Sequence, residues 1–325
     1  MLKKIRQRLI TKKILQPPKA VDETSCKLVS SRGLLKSCDF YPRYPKSGFP
    51  KVRDLSVFRL KDRSIIYVQN SAIGDFYKNY FPKIKNSFVI VSGDADDTMP
   101  FDKLRKDEFL TLMNDKRCLH WFCQNAAFAE HPKFSIIPAG LDYHTLTYSH
   151  RKHSWGDWAL PVEQEKRLLS IRERALPAEQ RIVKGYSTFH FFMSGKYGYD
   201  RVDAIVDIPK DAMFYERVPV DRETTWENQS QYAFVVSPLT NGLDAHRTWE
   251  ALALGCIPIV KTSPLIPLFE ELPILIVNEW SEVTCQRLQI FLDEYKKRKS
   301  EYNYDKLTLA YWVNKIRSTA NRPSS

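Results

Sequence analysis

The residues with the clearest chemical potential lie together in one stretch, residues 233–261. This stretch has the pattern of a βαβ unit: an apolar strand, a loop containing Asn241 and Gly242, a helix, a glycine stop and a second apolar strand. Ligands of such units bind beyond the carboxyl ends of the strands, and free N–H groups at the helix start favour a diphosphate. Arg247 and Glu250 are three residues apart and share a helix face. An arginine beside phosphate and a glutamate beside a ribose diol would form a clamp for a nucleoside diphosphate.

Simpler roles are open for the same residues. Asp244 could cap the helix without touching a ligand. Arg247 and Glu250 could form a surface ion pair that contributes almost nothing to stability. His246 lies four residues before Glu250 and so shares the same face. Spacing alone does not separate the clamp from the ion pair.

A second group of carboxylates follows an apolar run near residue 90. Asp94, Asp96 and Asp97 stand at the carboxyl end of this predicted strand, where ligands gather. An inverting transferase needs a carboxylate or histidine beside the acceptor hydroxyl, so these are our candidates for a general base, with Asp142 and His144 behind them. A retaining enzyme would need no such base. Asp94 and Asp96 also form a DxD pattern that could hold a divalent metal, and the acids could simply cap the next helix.

Short apolar runs alternate with amphipathic stretches along most of the chain, which predicts an α/β fold with two Rossmann-like domains facing a cleft. We predict a basic tail over residues 1–20, a first domain over 21–150, and a second domain with terminal helices over 151–325. The predicted strands are residues 65–68, 87–92, 119–122, 134–138, 188–193, 213–216, 233–237, 257–260 and 274–277. The predicted helices include residues 72–80, 101–113, 124–129, 162–176, 200–206, 223–230, 243–254, 281–298 and 304–316.

Composition narrows the class of protein. The chain has 325 residues with 43% hydrophobic and 27% charged residues, as expected of a globular protein. Its net charge is +12, and part of the excess lies in the first 19 residues, which contain no acid. The other basic residues are scattered among acids, which argues against a dedicated nucleic-acid groove. P-loop, GxGxxG, GxSxG and HExxH motifs are missing, so kinase, dehydrogenase, hydrolase and zinc-protease functions lack support.

Location is predicted from the same features. The six cysteines are dispersed, which is typical of a reducing compartment, and strand packing explains Cys118, His120 and Cys123 better than zinc does. The chain offers neither a run of ~20 apolar residues nor a secretory signal, so we predict a cytoplasmic protein. The basic tail is interpreted as a solvated, frayed segment or as a helix with weak peripheral membrane contact.

The stretch around the predicted clamp resembles the donor-site signature of exostosin-like glycosyltransferases, especially the soluble members of large DNA viruses, algae and bacteria. The resemblance covers about residues 185–285, and the first domain is similar only around residues 137–144. The residues that carry it are Tyr197, Gly198, Tyr199, Asp200, Arg201, Ser237, Pro238, Asn241, Gly242, Asp244, His246, Arg247, Thr248, Trp249, Glu250, Gly255, Cys256, Ile257, Pro258, Ser263, Pro264, Pro267, Leu268, Trp280 and Ser281.

This resemblance implies a GT-B fold with a nucleotide-sugar donor on the second domain. Glu250 would then bind the ribose and Arg247 the phosphate, with Asn241 and Gly242 in the adjacent loop. Ser237, Asp244 and His246 would also belong to the donor-binding residues. Arg201 and Lys196 would be further phosphate ligands, although many relatives have Asn and Arg where this chain has Ser-Gly-Lys. The donor would be a UDP-sugar of the UDP-xylose, UDP-glucose or UDP-GlcNAc type and the acceptor a glycan or glycoprotein hydroxyl. No tightly bound cofactor and no essential metal are implied. A non-catalytic carbohydrate- or nucleic-acid-binding protein on the same fold is the alternative.

Overall fold

Two parallel sheets form the framework of the protein. The structure is a computed structural model that describes residues 2–127, 130–149, 153–189 and 194–322. The first sheet has the order β1-β2-β3-β4 and the second β6-β5-β7-β8-β9, and all pairings are parallel. The strands are β1 (Ser64–Gln69), β2 (Phe88–Gly93), β3 (Cys118–Cys123), β4 (Phe134–Ile136), β5 (Ile182–Ser187), β6 (Met213–Tyr215), β7 (Tyr232–Val236), β8 (Ile257–Lys261) and β9 (Leu275–Val277).

Helices connect most of these strands, as is usual for parallel pairing, and β3 and β4 are joined without a helix in the described residues. They are α1 (Leu2–Thr11), α2 (Ser31–Lys36), α3 (Ile73–Asn79), α4 (Lys106–Asn114), α5 (His144–Thr147), α6 (Pro161–Arg174), α7 (Tyr199–Asp207), α8 (Arg222–Gln229), α9 (His246–Ala253), α10 (Ile266–Phe269), α11 (Cys285–Arg298) and α12 (Leu309–Asn321). The predicted α/β class, with two Rossmann-like halves, is confirmed by this topology. Within the described part of the chain, no helix is long and apolar enough to cross a membrane.

The central strands are buried because helices cover both faces of each sheet. Every residue of β1 and β2 is buried, which explains their near-continuous apolar sequence. Residues that follow β2, β3 and β4 and residues that follow β5, β6 and β7 line adjoining cavities. The carboxyl ends of both sheets therefore face one cleft, as in the GT-B fold.

The last helix of the chain packs on the first sheet. α12 contacts β1, β2 and β3, and Trp312 and Ile316 belong to the same apolar core as the first sheet. We predicted that the terminal helices complete the second domain. α11 does pack on the second sheet, against β5, whereas α12 returns to the first sheet. The division of the chain at residue 150 stays a prediction.

Several predicted elements were wrong. The strand placed at residues 188–193 lies earlier, at Ile182–Ser187, and residues 190–193 are outside the described residues. Lys184 and Gly185 interrupt the apolar pattern that predicts a buried strand. A glycine is required at 185 because a Cβ there would lie 2.7 Å from Val236 Cγ2. The predicted helix at 124–129 is a turn over residues 124–125, with 128–129 outside the description. Ser281 does not start a long helix, because Thr284 caps α11 by accepting a hydrogen bond from the Arg287 N–H.

The N-terminal segment is more ordered than predicted. Residues 2–11 form α1 instead of a frayed tail. The stretch over residues 17–50, predicted to be irregular, contains α2, whose first turn is capped by Ser30.

Candidate functional site

Two adjoining cavities occupy the cleft. One of about 300 Å³ is built mainly from the second domain, and one of about 660 Å³ lies between the two sheets. Both are lined by Trp155, Arg201, Thr240 and His246, so they form one continuous site. The smaller cavity also contains Arg247 and Glu250, and the larger contains Asp94, Asp96, Asp97, Lys196, Asn241 and Asp244. The structure therefore brings together most of the residues that the sequence nominated.

Arg201 and Arg247 place two positive charges in the smaller cavity without a carboxylate partner. Neither forms an ion pair with any residue that the structure describes. Burial and the neighbouring Arg247 charge lower the pKa of Arg201 to about 10. Burial also lowers the pKa of Arg247, whose Nη1 has no hydrogen-bond acceptor among the described residues. Two repelling, partly dehydrated guanidinium groups at a cavity wall provide a strong attraction for an anion.

Glu250 is held by an arginine that the sequence did not single out. Arg222 Nε donates to Glu250 Oε1 over 3.1 Å, and Nη2 donates to the same oxygen. Arg222 Nη1 donates to the Asp142 carbonyl and, over 3.2 Å, to Gln164 Oε1. Burial alone would lower the pKa of Arg222, but Glu250 raises it overall. The second oxygen, Oε2, accepts no hydrogen bond from the described residues, so it is available to a ligand in the cavity.

His246 and Asp244 join the two domains. The Gly140 carbonyl accepts a hydrogen bond from His246 Nδ1 over 2.6 Å, so the proton of a neutral imidazole lies on Nδ1. Asp244 Oδ2 accepts from the Ala139 N–H over 2.7 Å, and its backbone N–H donates to Asn125 Oδ1. Gly140, Ala139 and Asn125 all follow strands of the first sheet. The loop before α9 is therefore fixed across the cleft.

Asp244 does not cap a helix. The residue before α9 is Ala245, which makes no side-chain capping bond. Instead, both Asp244 oxygens accept from Trp249 Nε1 at 2.9 and 3.0 Å. Burial raises the pKa of Asp244 to about 6. This side chain is a structural crosslink at the wall of the larger cavity.

The loop after β7 is packed tightly. A Cβ on Gly242 would come within 3.0–3.1 Å of the Asn125 side chain, which explains a glycine there. A Cβ on Gly195 would lie 2.2 Å from Asn241 Oδ1. Asn241 lines the larger cavity as predicted. Lys196 does so too, but it is mostly exposed and its Nζ lies 3.5 Å from Asp102 Oδ1 of the first domain.

Ser237 does not belong to the cleft. It is 4% exposed, and its hydroxyl forms a 2.8 Å hydrogen bond with Thr248 Oγ1. Neither cavity is lined by it. The prediction that Ser237 binds the donor is therefore not supported, and its role is to fix α9 against β7.

The three aspartates after β2 differ sharply in their surroundings. Asp94 has a positive φ of 58° and is buried in an ion pair, with Arg32 Nη2 3.1 Å from Oδ2. Ser47 Oγ donates to its Oδ1 at 2.8 Å and Gln69 Nε2 to its Oδ2 at 3.0 Å. Asp97 accepts from Ser71 Oγ and pairs with Lys103 Nζ at 2.7 Å. The Asp94 oxygens are therefore occupied by protein donors, and the Asp97 carboxylate is paired with a lysine.

Asp96 is the aspartate that faces the cleft. It is exposed and forms no ion pair with any described residue. Desolvation by the surrounding walls raises its pKa above the ordinary value, while His246 and Asn241 lower it. A carboxylate with a raised pKa and an accessible oxygen is suited to accept a proton.

Asp142 and His144 lie behind this region. Asp142 lies two residues before α5 and accepts from the Thr145 N–H at 2.9 Å and from the Thr145 hydroxyl at 2.6 Å. Burial would raise the pKa of Asp142, but the neighbouring His144 outweighs it and holds that pKa well below the ordinary value. A carboxylate stabilised in this way is a poor base.

Sequence reasoning missed three parts of the site: Arg222, Trp155, and the loop over residues 216–220 that lines the smaller cavity. The Arg222 guanidinium carbon lies 5.4 Å from the Trp155 ring centre and 4.9 Å from that of Trp226. Asp221 directly before Arg222 is a helix-cap signal, and it accepts from the Thr224 N–H as N-cap of α8. No motif marked the other two parts, since a lone tryptophan and a short loop of mixed charged and apolar residues are common at any surface.

Comparisons with known proteins return similarities to solved structures. No family model and no curated protein matches the chain. Among solved structures, one described as OtsA in its apo form is 10% identical, covers 82% of this chain and 74% of its own, and has a TM-score of 0.45. Another, described as trehalose-6-phosphate from E. coli bound with UDP-2-fluoro glucose, is 9% identical, covers 81% and 74%, and has a TM-score of 0.41. Similarities this distant do not identify a family, and the resemblance to exostosin-like enzymes stays a prediction.

Proposed function

We propose that this protein is a glycosyltransferase that transfers a sugar from a nucleoside diphosphate donor, a UDP-sugar, to a hydroxyl of a glycan or glycoprotein. The observation that carries the proposal is the pair Arg201 and Arg247, which lines the same cavity as Glu250. A diphosphate supplies the negative charge that the two arginines lack. The exostosin-like signature supports the nature of the donor.

The smaller cavity suits the nucleoside part of the donor. Its walls include Phe189, Val218 and Pro219, which offer apolar contact to a base. Glu250 Oε2 would accept a hydrogen bond from a hydroxyl of the ribose, while Oε1 keeps its hydrogen bonds from Arg222. The donor sugar would then extend past His246 toward the larger cavity and the first domain.

Chemistry would take place where the cavities meet. In an inverting transfer, Asp96 would take the proton of the acceptor hydroxyl as that oxygen forms its bond to the anomeric carbon. The bond from the anomeric carbon to the diphosphate oxygen breaks in the same step, and the nucleoside diphosphate leaves with the electron pair. Arg201 and Arg247 would stabilise the charge that develops on this leaving group.

The metal-dependent alternative is weakened by the Asp94 contacts. A DxD site needs both carboxylates as metal ligands. Arg32, Ser47 and Gln69 already occupy the Asp94 oxygens. A metal at Asp94 and Asp96 would require the buried Arg32 ion pair to break.

Calorimetric titration with UDP, GDP and their sugars in EDTA tests the proposal. We expect micromolar binding of UDP or a UDP-sugar, weakened about 10- to 100-fold in Arg247→Met, because a hydrogen bond to a charged group contributes about 1.5–3 kcal/mol. Arg181→Met is the matched control: Arg181 is also buried in the second domain, but it bonds to Leu254 O and Leu176 O and lines neither cavity.

The outcomes separate the candidate functions. Equal binding by the wild type and Arg247→Met would contradict the phosphate role of this arginine. Binding that appears only with Mn²⁺ would favour the metal-dependent reading. Absence of nucleotide binding under both conditions, with salt-dependent binding to DNA or RNA, would favour a binding protein on this fold.

A further inference from the structure

Helix α1 exposes an apolar stripe. Leu2, Ile5 and Leu9 follow one another at intervals of three and four residues, so they lie on one face. Leu2 is 84% and Ile5 47% exposed, and Leu9 at the end of the stripe is half-buried. Beyond the helix end, Ile14 and Leu15 are exposed as well.

The remaining surface of α1 is basic. Its exposed positions include Lys3, Lys4, Arg6 and Arg8, and Lys12 follows. Residues 2–19 contain no acidic residue. A solvated helix would gain nothing from an exposed apolar stripe, whereas a helix at a membrane surface needs both an apolar face and flanking cations.

Another side of α1 fixes the segment to the protein. Ile10 is 2% exposed and lies about 100° around the helix from Leu9. After the helix, the Ile14 carbonyl accepts from Tyr44 Oη at 2.9 Å, and Gln16 Nε2 donates to the Arg43 carbonyl at 2.8 Å. The apolar stripe is thus presented outward by a segment that is anchored at its other end.

The anchoring loop, residues 43–53, extends the basic surface. Its exposed cations are Arg43, Lys46, Lys51 and Arg53. The acidic groups in contact with the loop are Asp75, which pairs with Lys51 at 3.0 Å, Asp54, which accepts from the Arg43 N–H, and Asp94, which accepts from Ser47 Oγ. The loop also supplies Ser47 and Gly48 to the wall of the larger cavity.

We propose that α1 and the adjoining loop of residues 43–53 bind the surface of an anionic lipid bilayer. The stripe of Leu2, Ile5 and Leu9 enters the headgroup region, and the surrounding lysines and arginines attract the negative lipids. Because the loop borders the larger cavity, this contact holds the first-domain side of the cleft at the membrane. The inference is independent of the proposed transferase function.

Vesicle sedimentation with untagged protein tests it. The probes are vesicles of phosphatidylcholine alone and of phosphatidylcholine with phosphatidylserine, at low and high salt. We expect binding to the mixed vesicles, weakened by salt, and a loss of about tenfold or more in the double variant Leu2→Ser with Ile5→Ser. The matched control is Leu176→Ser with Ile182→Ser, which changes the same residue types at positions 56% and 48% exposed in the second domain.

Circular dichroism and UDP titration of each variant separate this inference from the transferase proposal, since both should match the wild type. Vesicle binding without UDP binding would support the membrane proposal and contradict only the transferase proposal. Three outcomes would overturn the membrane proposal. The two double variants could bind the vesicles equally well, or the protein could bind vesicles with and without phosphatidylserine equally well. The protein could also bind RNA but not vesicles.

Discussion

Arg222 and Glu250 form a buried ion pair in which two guanidinium nitrogens donate to one carboxylate oxygen. The arrangement leaves the other oxygen of Glu250 directed to no protein donor among the described residues. Arg222 also bonds to the Asp142 carbonyl of the first domain, so the position of Glu250 depends on contacts between the domains. Arg222 is therefore a positioning residue for the predicted ribose ligand.

We predict that Arg222 and Glu250 are coupled in stability. Each single variant, Arg222→Met or Glu250→Gln, should lower the free energy of unfolding by about 3 kcal/mol, because a buried charge is left without its partner. The double variant should lose much less than the two single losses together, as measured by urea unfolding. Additive losses would show that the pair is not coupled.

Arg201→Met should stabilise the protein while weakening donor binding. Burial beside Arg247 lowers the pKa of Arg201 to about 10, so the charged form is disfavoured in the fold and its removal should raise the free energy of unfolding by about 1–3 kcal/mol. Thermal unfolding with and without UDP measures both effects. A destabilised variant with unchanged UDP protection would contradict the anion site.

Asp96→Asn should remove turnover while leaving UDP binding within about twofold of the wild type. The raised pKa of Asp96 means that the base is protonated at low pH, so kcat of the wild type should rise as the pH increases through a value above 3.8. Rates with the donor identified by titration measure this. Asp97→Asn is the control, because the Asp97 carboxylate is already paired with Lys103. Equal rates for wild type and Asp96→Asn would exclude Asp96 as the base.

Asp244 should make stability depend on pH. Its pKa of about 6 lies above the ordinary 3.8, so the folded state retains the proton that the unfolded state releases, and stability falls as the pH rises through this window. Relative to Asp244→Asn, the wild type should lose about 3 kcal/mol at most between pH 4 and 7.

The control for this pH dependence is Asp142→Asn. The pKa of Asp142 lies well below the ordinary value, so the difference between wild type and this variant should stay level above about pH 5, where the unfolded-state carboxyl is ionised as well. Urea unfolding at several pH values measures both series. A level difference for Asp244→Asn as well would show that its carboxyl group titrates normally.

Local sequence patterns predicted the framework because each buried strand must be apolar along its length. The runs at β2 and β7 satisfy this condition, and their ends place Asp96 and Asn241 at the cleft. β5 escaped prediction because its first three residues are not fully buried and include Lys184. Gly185 makes a close contact with Val236 that only the fold reveals. Such a tertiary requirement leaves no periodic signal.

The site was predicted in its composition but not in its partners. Arg247 and Glu250 share a helix face as their spacing implied, yet the acid of the expected pair is bound by Arg222 from another helix, 28 residues earlier in the chain. Asp94 and Asp96 looked equivalent in the sequence, and contacts from Arg32, Ser47 and Gln69, all distant along the chain, distinguish them. Contacts between residues far apart in the chain determine which acid can bind a ligand or take a proton. The spacing of residues along one segment contains no information about such contacts.

The packing of α12 on the first sheet affects the order in which the protein can be completed during synthesis. Residues 309–321 leave the ribosome after the whole second sheet, yet Trp312 and Ile316 fill the core beneath β1–β3. The first domain therefore stays unfinished, with apolar surface uncovered, until the second has been made. A fragment that ends before residue 309 would leave the apolar surface of the first sheet without its covering helix.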